Sequence, residues 1–130
     1  QVGLVAFSPM ANGFLTARYD ANSQFDPDTD YRRNMPQFQA DAMEENKALL
    51  QWIQDLAASK QATPAQLSLA WMLSKKPWIV PIPGTTNPGR LLENGGAADI
   101  ELTADEVRKI DEALDKIQMS SVFGGSVVRG

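Results

Sequence analysis

The sequence predicts an α/β fold with parallel strands, because two short apolar runs alternate with segments of helical period. The first run, residues 3–7, is continuous and stops at Ser8-Pro9, which is typical of a strand buried on both faces. The second run, residues 78–82, ends at Pro83-Gly84. Strands in this order are expected to be parallel and joined by right-handed crossovers. Two strands leave both sheet edges open, so partner strands are expected from elsewhere, or the chain is a fragment of a larger sheet.

Four helices are predicted from capping residues and from apolar side chains at helical spacing. They cover residues 41–60, 63–74, 90–94 and 103–117. The second has the clearest start, since Thr63 can cap, Pro64 suits the first helical position and Gln66 can reach back to the cap. Thr103 and Glu106 give the last helix a similar start.

Two segments are predicted to be irregular. Residues 11–40 lose periodicity and are rich in Asn, Gly, Pro and Asp, which indicates a long loop that is either a functional lid or disordered. The loop ends where Asp41 and Glu44 form a capping pair for the next helix. Residues 118–130 repeat Ser and Gly, and we expect a loose tail.

Composition narrows the classes of function. With a net charge of -4, the chain gains little from a nucleic acid or an anionic membrane, and neither is expected as a partner. The chain has no cysteine and no histidine, which excludes disulfides, thiolate or zinc sites and catalysis by imidazole. No metal site is predicted. No apolar run approaches the ~20 residues of a membrane span, and no basic leader is present, so a cytoplasmic location is expected. The start without Met, almost directly at a strand, indicates an internal segment or a trimmed end.

Ligand-type residues follow each predicted strand. In parallel α/β proteins ligands bind beyond the C-terminal ends of the strands, which directs attention to residues 7–13 and 82–94. In the second stretch, the Gly-Thr-Thr at 84–86 precedes a helix whose N–H groups and dipole favour an anion. Arg90 would bind phosphate or stack on adenine. The alternative is a capped surface helix with a solvated arginine, which short motifs alone favour.

The whole string Ile-Pro-Gly-Thr-Thr-Asn-Pro-Gly-Arg-Leu-Leu-Glu-Asn, residues 82–94, resembles the nucleotide-binding signature of the aldo-keto reductase family. Three further segments are similar to that family: residues 7–16 to the loop after strand seven of its barrel, residues 63–71 to its penultimate helix, and residues 102–106 to a segment near its closing helix. The resemblance implies the C-terminal portion of a TIM-type (β/α)8 barrel, incomplete as an isolated chain. Residues 1–130 would then be the C-terminal segment of one barrel domain.

The resemblance implies an NADP(H) site of eleven residues. These are Phe7 on the nicotinamide ring, Ser8, Met10, Asn12 and Gly13 along the pyrophosphate, Gly84 and Thr86 in the turn, Thr85 and Arg90 at the 2′-phosphate, and Glu93 and Asn94 at the adenine edge. From the residues alone, a core position for Phe7, a plain turn at 8–13 and solvation of Glu93 and Asn94 are the alternatives. Many family members carry Lys or Arg near positions 86–87, where this chain has no charge.

The implied function is the NADPH-binding C-terminal part of an oxidoreductase that transfers hydride between NADP(H) and a small-molecule aldehyde or ketone. The family's catalytic Tyr, Lys, Asp and His come from early strands, and Tyr19 and Tyr31 match none of them. No catalytic residue is therefore predicted, and the isolated segment is expected to be inactive. The expected partner is the N-terminal part of the same barrel, in the same or a separate chain. The alternative is a truncated, non-catalytic barrel remnant, or a nucleotide-binding and protein-interaction module similar to a channel β subunit.

Further predictions concern the roles of two arginines and three tryptophans. Adjacent Arg32 and Arg33 would clamp an acidic substrate or the cofactor, but surface pairing with nearby aspartates, of little energetic value, is favoured. Those aspartates are Asp26, Asp28 and Asp30. Core packing is expected for Trp52, Trp71 and Trp78.

Overall fold

The two predicted strands form one parallel sheet in a computed structural model, which describes residues 2–116. Strand β1 spans Leu4–Phe7 and strand β2 spans Ile79–Ile82. They pair in register from Leu4 opposite Ile79 to Phe7 opposite Ile82, so the predicted parallel arrangement is confirmed. Because both strands point the same way, the segments that follow them leave the sheet at the same edge.

Five α-helices lie within residues 2–116, and none is long and apolar enough to cross a membrane. They are α1 (Ala40–Glu45), α2 (Lys47–Ser59), α3 (Pro64–Lys75), α4 (Pro88–Gly95) and α5 (Ala104–Leu114). Short 3-10 helices lie at Ala11–Thr16, Tyr31–Asn34, Pro36–Phe38 and Gly96–Asp99. The last follows α4 directly, so helical structure extends beyond residue 94, the predicted end of this helix. The predicted tail, residues 118–130, and Ile117 lie outside the described residues.

The capping prediction was right for two helices and wrong for one. Thr63 Oγ1 accepts a hydrogen bond from the Gln66 N–H, and Gln66 Oε1 accepts one from the Thr63 N–H, at 3.2 and 3.0 Å. The same reciprocal box opens α5 at Thr103. Each cap is worth about 1 kcal/mol. The pair Asp41 and Glu44 forms no such box.

The first predicted helix is in fact two. Asn46, with φ −92° and ψ 3°, separates α1 from α2, and its Nδ2 donates to the carbonyl of Ala42 at 2.8 Å. A side chain that bonds one turn back competes with the helical backbone and favours a break. Glu44 faces Lys47 at 3.5 Å across this break instead of capping.

The core lies where the 11–40 loop packs on α2 and α3. Its buried members are Phe14, Leu15, Met35, Phe38, Met43, Leu50, Ile53, Ala57 and Leu67. Five of these nine side chains come from the loop and α1, so the loop is held by apolar contacts and by aromatic pairs. Phe25 and Phe38, for example, lie 5.0 Å apart between ring centroids in an edge-to-face arrangement. Such pairs add roughly 0.5–1.5 kcal/mol beyond burial.

The strands are not buried on both faces, contrary to expectation. The side chains left exposed along the sheet are Leu4, Val5, Phe7, Trp78, Val80 and Ile82. Helix α3 packs against β2, but two strands offer too little surface to be enclosed. The prediction that Trp78 packs in the core is therefore wrong. Trp52 does pack against the core. Trp71 is half-buried, and its Nε1–H donates a hydrogen bond to Asp111.

Helix α4 is fixed to the start of α3 by one side chain. Gln66 Nε2 donates to the backbone carbonyl of Glu93 at 2.9 Å. Gly96 leaves room for this contact, since a Cβ there would lie 2.7 Å from Gln66 Nε2. Gln66, the capping-box partner of Thr63, thus also fixes α4 against the start of α3.

Candidate functional site

A cleft of about 360 Å³ opens at the C-terminal edge of the sheet, between the loop after β1 and the start of α4. Nine of the eleven predicted site residues line it: Ser8, Met10, Asn12, Gly13, Gly84, Thr85, Arg90, Glu93 and Asn94. The two segments are about seventy residues apart in sequence and meet because β1 and β2 are paired in parallel. The cleft therefore joins the two stretches in which ligand residues were expected.

Two predicted residues do not line the cleft. Phe7 ends β1 opposite Ile82 and is 62% exposed. Thr86 is exposed in the turn before α4. The nicotinamide contact assigned to Phe7 and the turn role assigned to Thr86 stay predictions.

The loop after β1 begins with a strained turn. Ser8, Ala11 and Asn12 have φ values of 50°, 49° and 58°, and Gly13 has φ 96°. This left-handed region costs side-chain-bearing residues on the order of 1–3 kcal/mol each, and such residues cluster at binding sites. At Gly13 a Cβ would also come within 3.1 Å of the Tyr19 ring, so glycine is required there.

Asn12 is the hydrogen-bonding centre that holds this turn. Its Oδ1 accepts from the hydroxyls of Ser8 and Tyr31, each at 3.0 Å. Thr16 closes the turn by donating from Oγ1 to the carbonyl of Gly13. The Tyr31 contact joins the later part of the loop to the turn beside the cleft. Asn12 therefore holds together the two parts of the loop that line this side of the cleft.

The turn after β2 is organised by side chains that cap α4. Thr85 Oγ1 accepts from the Asn87 N–H at 3.1 Å, and Asn87 Oδ1 accepts from the Arg90 N–H at 3.2 Å. The Arg90 N–H is already bonded to the cap, and Pro88 has no N–H. Two of the backbone donors expected to face an anion at the start of α4 are therefore not available. Attraction for an anion at this end rests chiefly on the Arg90 guanidinium, which is exposed. Gly84 leaves this wall open, with no atom within 4 Å of a Cβ placed there.

Arg32 is held by an aromatic and acidic cage beside the cleft. Its guanidinium carbon lies 4.9 Å from the ring centroids of both Tyr19 and Phe25. It donates to Asp30 and to the Tyr19 hydroxyl, the latter at 2.6 Å. The hydrogen bonds from Arg32 hold the pKa of Asp30 below its usual range. The expected Arg32–aspartate pair is present, but it is partly enclosed by rings and not a weak surface pair.

The neighbouring Arg33 behaves differently. It is exposed and donates from Nη1 to the carbonyl of Pro27 at 2.9 Å instead of pairing with an aspartate. Asp26 accepts the backbone N–H groups of Asp28 and Thr29, which lower its pKa. Asp26 therefore stabilises the turn at residues 26–29 and does not pair with Arg33.

The residues that line the cleft carry more positive than negative charge. Arg18, Arg32 and Arg90 line it, and Glu93 is the acidic residue among its lining residues. Arg18 Nη2 lies 3.3 Å from Glu93 Oε2, which joins the loop to α4. The other carboxylate oxygen, Glu93 Oε1, is buried and accepts no hydrogen bond within residues 2–116. Over the same residues, no group of three acidic side chains is arranged to hold a metal ion.

Sequence reasoning missed several polar lining residues, namely Thr16, Arg18, Tyr19 and Tyr31, and favoured a surface role for Arg32. These residues reach the cleft because the loop folds back through its aromatic core, which no local motif encodes. The sequence did contain one indication of these residues, because tyrosines and arginines lie close to aspartates in the loop that directly follows β1.

The model of the Aldo/keto reductase family matches residues 1–115. The chain is 37% identical over 118 residues to the aldo-keto reductase yakc of Schizosaccharomyces pombe, whose name includes NADP(+). It is 36% identical over 118 residues to the aldo-keto reductase str7 of Strobilurus tenacellus. Both matches cover 91% of this chain but only 34% and 35% of the relatives. The chain thus spans about a third of the length of these relatives.

A solved structure supports the fold. A glycerol dehydrogenase from Gluconobacter oxydans superposes with a TM-score of 0.78 at 22% identity, over 94% of this chain and 38% of that one. With the family match, this confirms the predicted fold class, the C-terminal portion of a TIM-type α/β barrel.

Tyr31→Phe tests whether the Asn12 centre holds the loop. Loss of one hydrogen bond, worth about 1 kcal/mol, should raise the population of opened loop roughly fivefold. Trypsin cleavage after Arg33, followed by mass spectrometry, should accelerate by that factor relative to the wild-type chain. The matched control is Gln24→Ala, an exposed change in the same loop. Equal cleavage rates for Tyr31→Phe and the control would contradict the role of Asn12.

Proposed function

This chain belongs to the aldo/keto reductase family, and from that premise we propose that its cleft binds NADP(H) in an oxidoreductase that moves hydride between the cofactor and an aldehyde or ketone. The observation that carries the proposal is the meeting of the strained 8–13 turn and the 84–94 segment in one arginine-lined cleft. It lies at the edge of parallel strands where α/β folds bind ligands. Since the chain spans about a third of its relatives, the proposal concerns the complete barrel.

The charge of the cleft fits the phosphates of a dinucleotide. Arg90 carries an exposed guanidinium beside Thr85, the arrangement proposed to bind the adenosine 2′-phosphate. A planar guanidinium suits bidentate hydrogen bonding to phosphate oxygens. The name of the Schizosaccharomyces pombe relative, which includes NADP(+), supports the phosphorylated cofactor.

The turn after β1 fits the middle of the dinucleotide. Ser8, Met10, Asn12 and Gly13 line the cleft, and Gly13 allows a close approach of the backbone. Because Asn12 already holds Ser8 and Tyr31, the turn is ordered before any ligand arrives. A preorganised wall reduces the entropy that binding must offset.

The far end of the cleft fits adenine. Asn94 is half-buried in the cleft wall, and its amide can both donate and accept. Glu93 lines the cleft beside Asn94, and its carboxylate would accept a hydrogen bond from the exocyclic amino group.

We assign binding and orientation to this chain, and no proton transfer. The bound cofactor supplies the hydride. Tyr19 accepts from Arg32, and Tyr31 donates to Asn12, so both phenols serve the loop. Because both tyrosine hydroxyls are engaged in the loop, the acid that protonates the carbonyl oxygen is assigned to a part of the barrel outside these 130 residues.

We also propose that the N-terminal part of the same barrel covers the sheet. Apolar side chains of both strands are about half exposed or more, including Val5 at 63% and Val80 at 53%. Flanking strands in a barrel pair with both edges and enclose such side chains. The fraction of the relatives that this chain spans leaves room for those strands.

Arg90→Ala tests the 2′-phosphate assignment. In the assembled protein, loss of a charge-assisted contact should raise the Kd for NADPH about tenfold or more and change the Kd for NADH less than about twofold. Fluorescence titration with both cofactors measures this. Arg108→Ala is the control, since Arg108 pairs on the surface of α5 with Asp105 and Glu112. Equal losses for both cofactors would overturn the assignment.

Native mass spectrometry tests the proposed covering of the sheet. Co-expression with the N-terminal barrel segment of an aldo-keto reductase should yield a complex of roughly 40 kDa, because the 14.2 kDa chain spans about a third of its relatives. Val80→Asp should prevent the complex, and Ala48→Asp, an exposed change on α2, should not. A chain that stays monomeric with every such segment would sink the proposal.

A further inference from the structure

One ion pair crosses from the loop to α4 at the cleft. Arg18 and Glu93 are 75 residues apart in sequence, with Arg18 Nη2 3.3 Å from Glu93 Oε2. The Glu93 side chain is 18% exposed and the Arg18 side chain 46%. Because the arginine is about half exposed, the pair adds little to stability, and its main effect is on the orientation of the two side chains.

Both partners of this pair have fixed backbones. Gln54 Nε2 donates to the carbonyl of Ala17, beside Arg18, at 3.1 Å. Gln66 Nε2 holds the carbonyl of Glu93 at 2.9 Å. The Glu93 carboxylate itself is held only at Oε2 among the described residues. Since the terminal torsion of glutamate is broad, the orientation of that carboxylate depends on Arg18.

The carboxylate has two directions in which to turn. Arg18 and Glu93 line the cleft, and both also line a second cavity of about 380 Å³ next to it. That cavity is bounded by Thr16, Gln54 and Ala58 among others. The ion pair therefore stands in the wall between two spaces. Without the guanidinium, no hydrogen bond among residues 2–116 would hold the Glu93 carboxylate.

We propose that Arg18 is a positioning residue that orients Glu93 as an acceptor for the adenine amino group, and so makes the cleft select adenine over hypoxanthine. The inference rests on the proposed function and deepens it. Hypoxanthine carries a carbonyl oxygen where adenine carries the amino group, so an oriented carboxylate would meet a second acceptor. Contacts to a charged group of this kind discriminate by about tenfold or more.

A direct contact between Arg18 and a cofactor phosphate gives a different expectation. It would support both nucleotides equally, because their phosphates are the same. A positioning role changes the ratio of the two affinities and acts only through Glu93. The ratio of Kd values therefore separates the two roles, and a loss of affinity alone does not.

The experiment titrates the assembled barrel, in which this chain is joined to the N-terminal part, with NADPH and with its hypoxanthine analogue, following nicotinamide fluorescence. The wild-type chain should prefer NADPH about tenfold. Arg18→Gln should reduce the preference to within about twofold, and Arg18→Lys should restore part of it, since a lysine can still pair with the carboxylate. Arg33→Gln is the matched control, because it removes the same charge from the same loop at an exposed residue away from Glu93. It should keep the wild-type ratio.

A double-mutant cycle with Glu93→Gln completes the test. Arg18→Gln should leave the ratio unchanged in the Glu93→Gln background, since its effect passes through the carboxylate. Equal weakening of both nucleotides by Arg18→Gln, repeated in that background, would overturn the positioning role. Tight binding of both nucleotides by the wild-type chain without preference would refute this inference and leave the cofactor proposal standing. Binding of neither would refute the cofactor proposal and this inference with it.

Discussion

The parallel pairing of β1 (Leu4–Phe7) with β2 (Ile79–Ile82) is the constraint on which the site depends. Parallel strands require a long crossover, and here that crossover contains the loop, α1, α2 and α3. The pairing brings two segments about seventy residues apart to one sheet edge. A shift of register would move the 8–13 turn relative to α4 and so displace one wall of the cleft from the other. The cleft is thus a consequence of backbone hydrogen bonding between strands.

The loop carries strain at one end and apolar anchoring at the other. Left-handed residues at 8–13 cost free energy, and the burial of Phe14, Met35 and Phe38 offsets that cost. The same packing brings Arg32 against two aromatic rings beside the cleft. The packing of the loop core therefore maintains a strained turn and places Arg32 beside the cleft.

The sequence was most informative where structure is local. Capping at Thr63 and Thr103 needs only residues within one turn, and both boxes were predicted correctly. The site residues next to the strands were predictable because chain order fixes their edge of the sheet. Arg18 was not, since it reaches the cleft through tertiary folding of the loop. Trp78 was misjudged because its burial depends on surface that β1 and β2 alone do not provide.

Hydrogen–deuterium exchange of this chain within the assembled barrel, with and without NADP+, tests most directly whether the cleft binds the dinucleotide. If the cleft binds the dinucleotide, amides in residues 8–19 and 84–94 should exchange more slowly with NADP+ present, because the bound ligand makes local opening of both walls less favourable. Amides of α5 (Ala104–Leu114), which does not line the cleft, should be unaffected. Unchanged exchange in both walls at saturating NADP+, or protection confined to α5, would contradict the account.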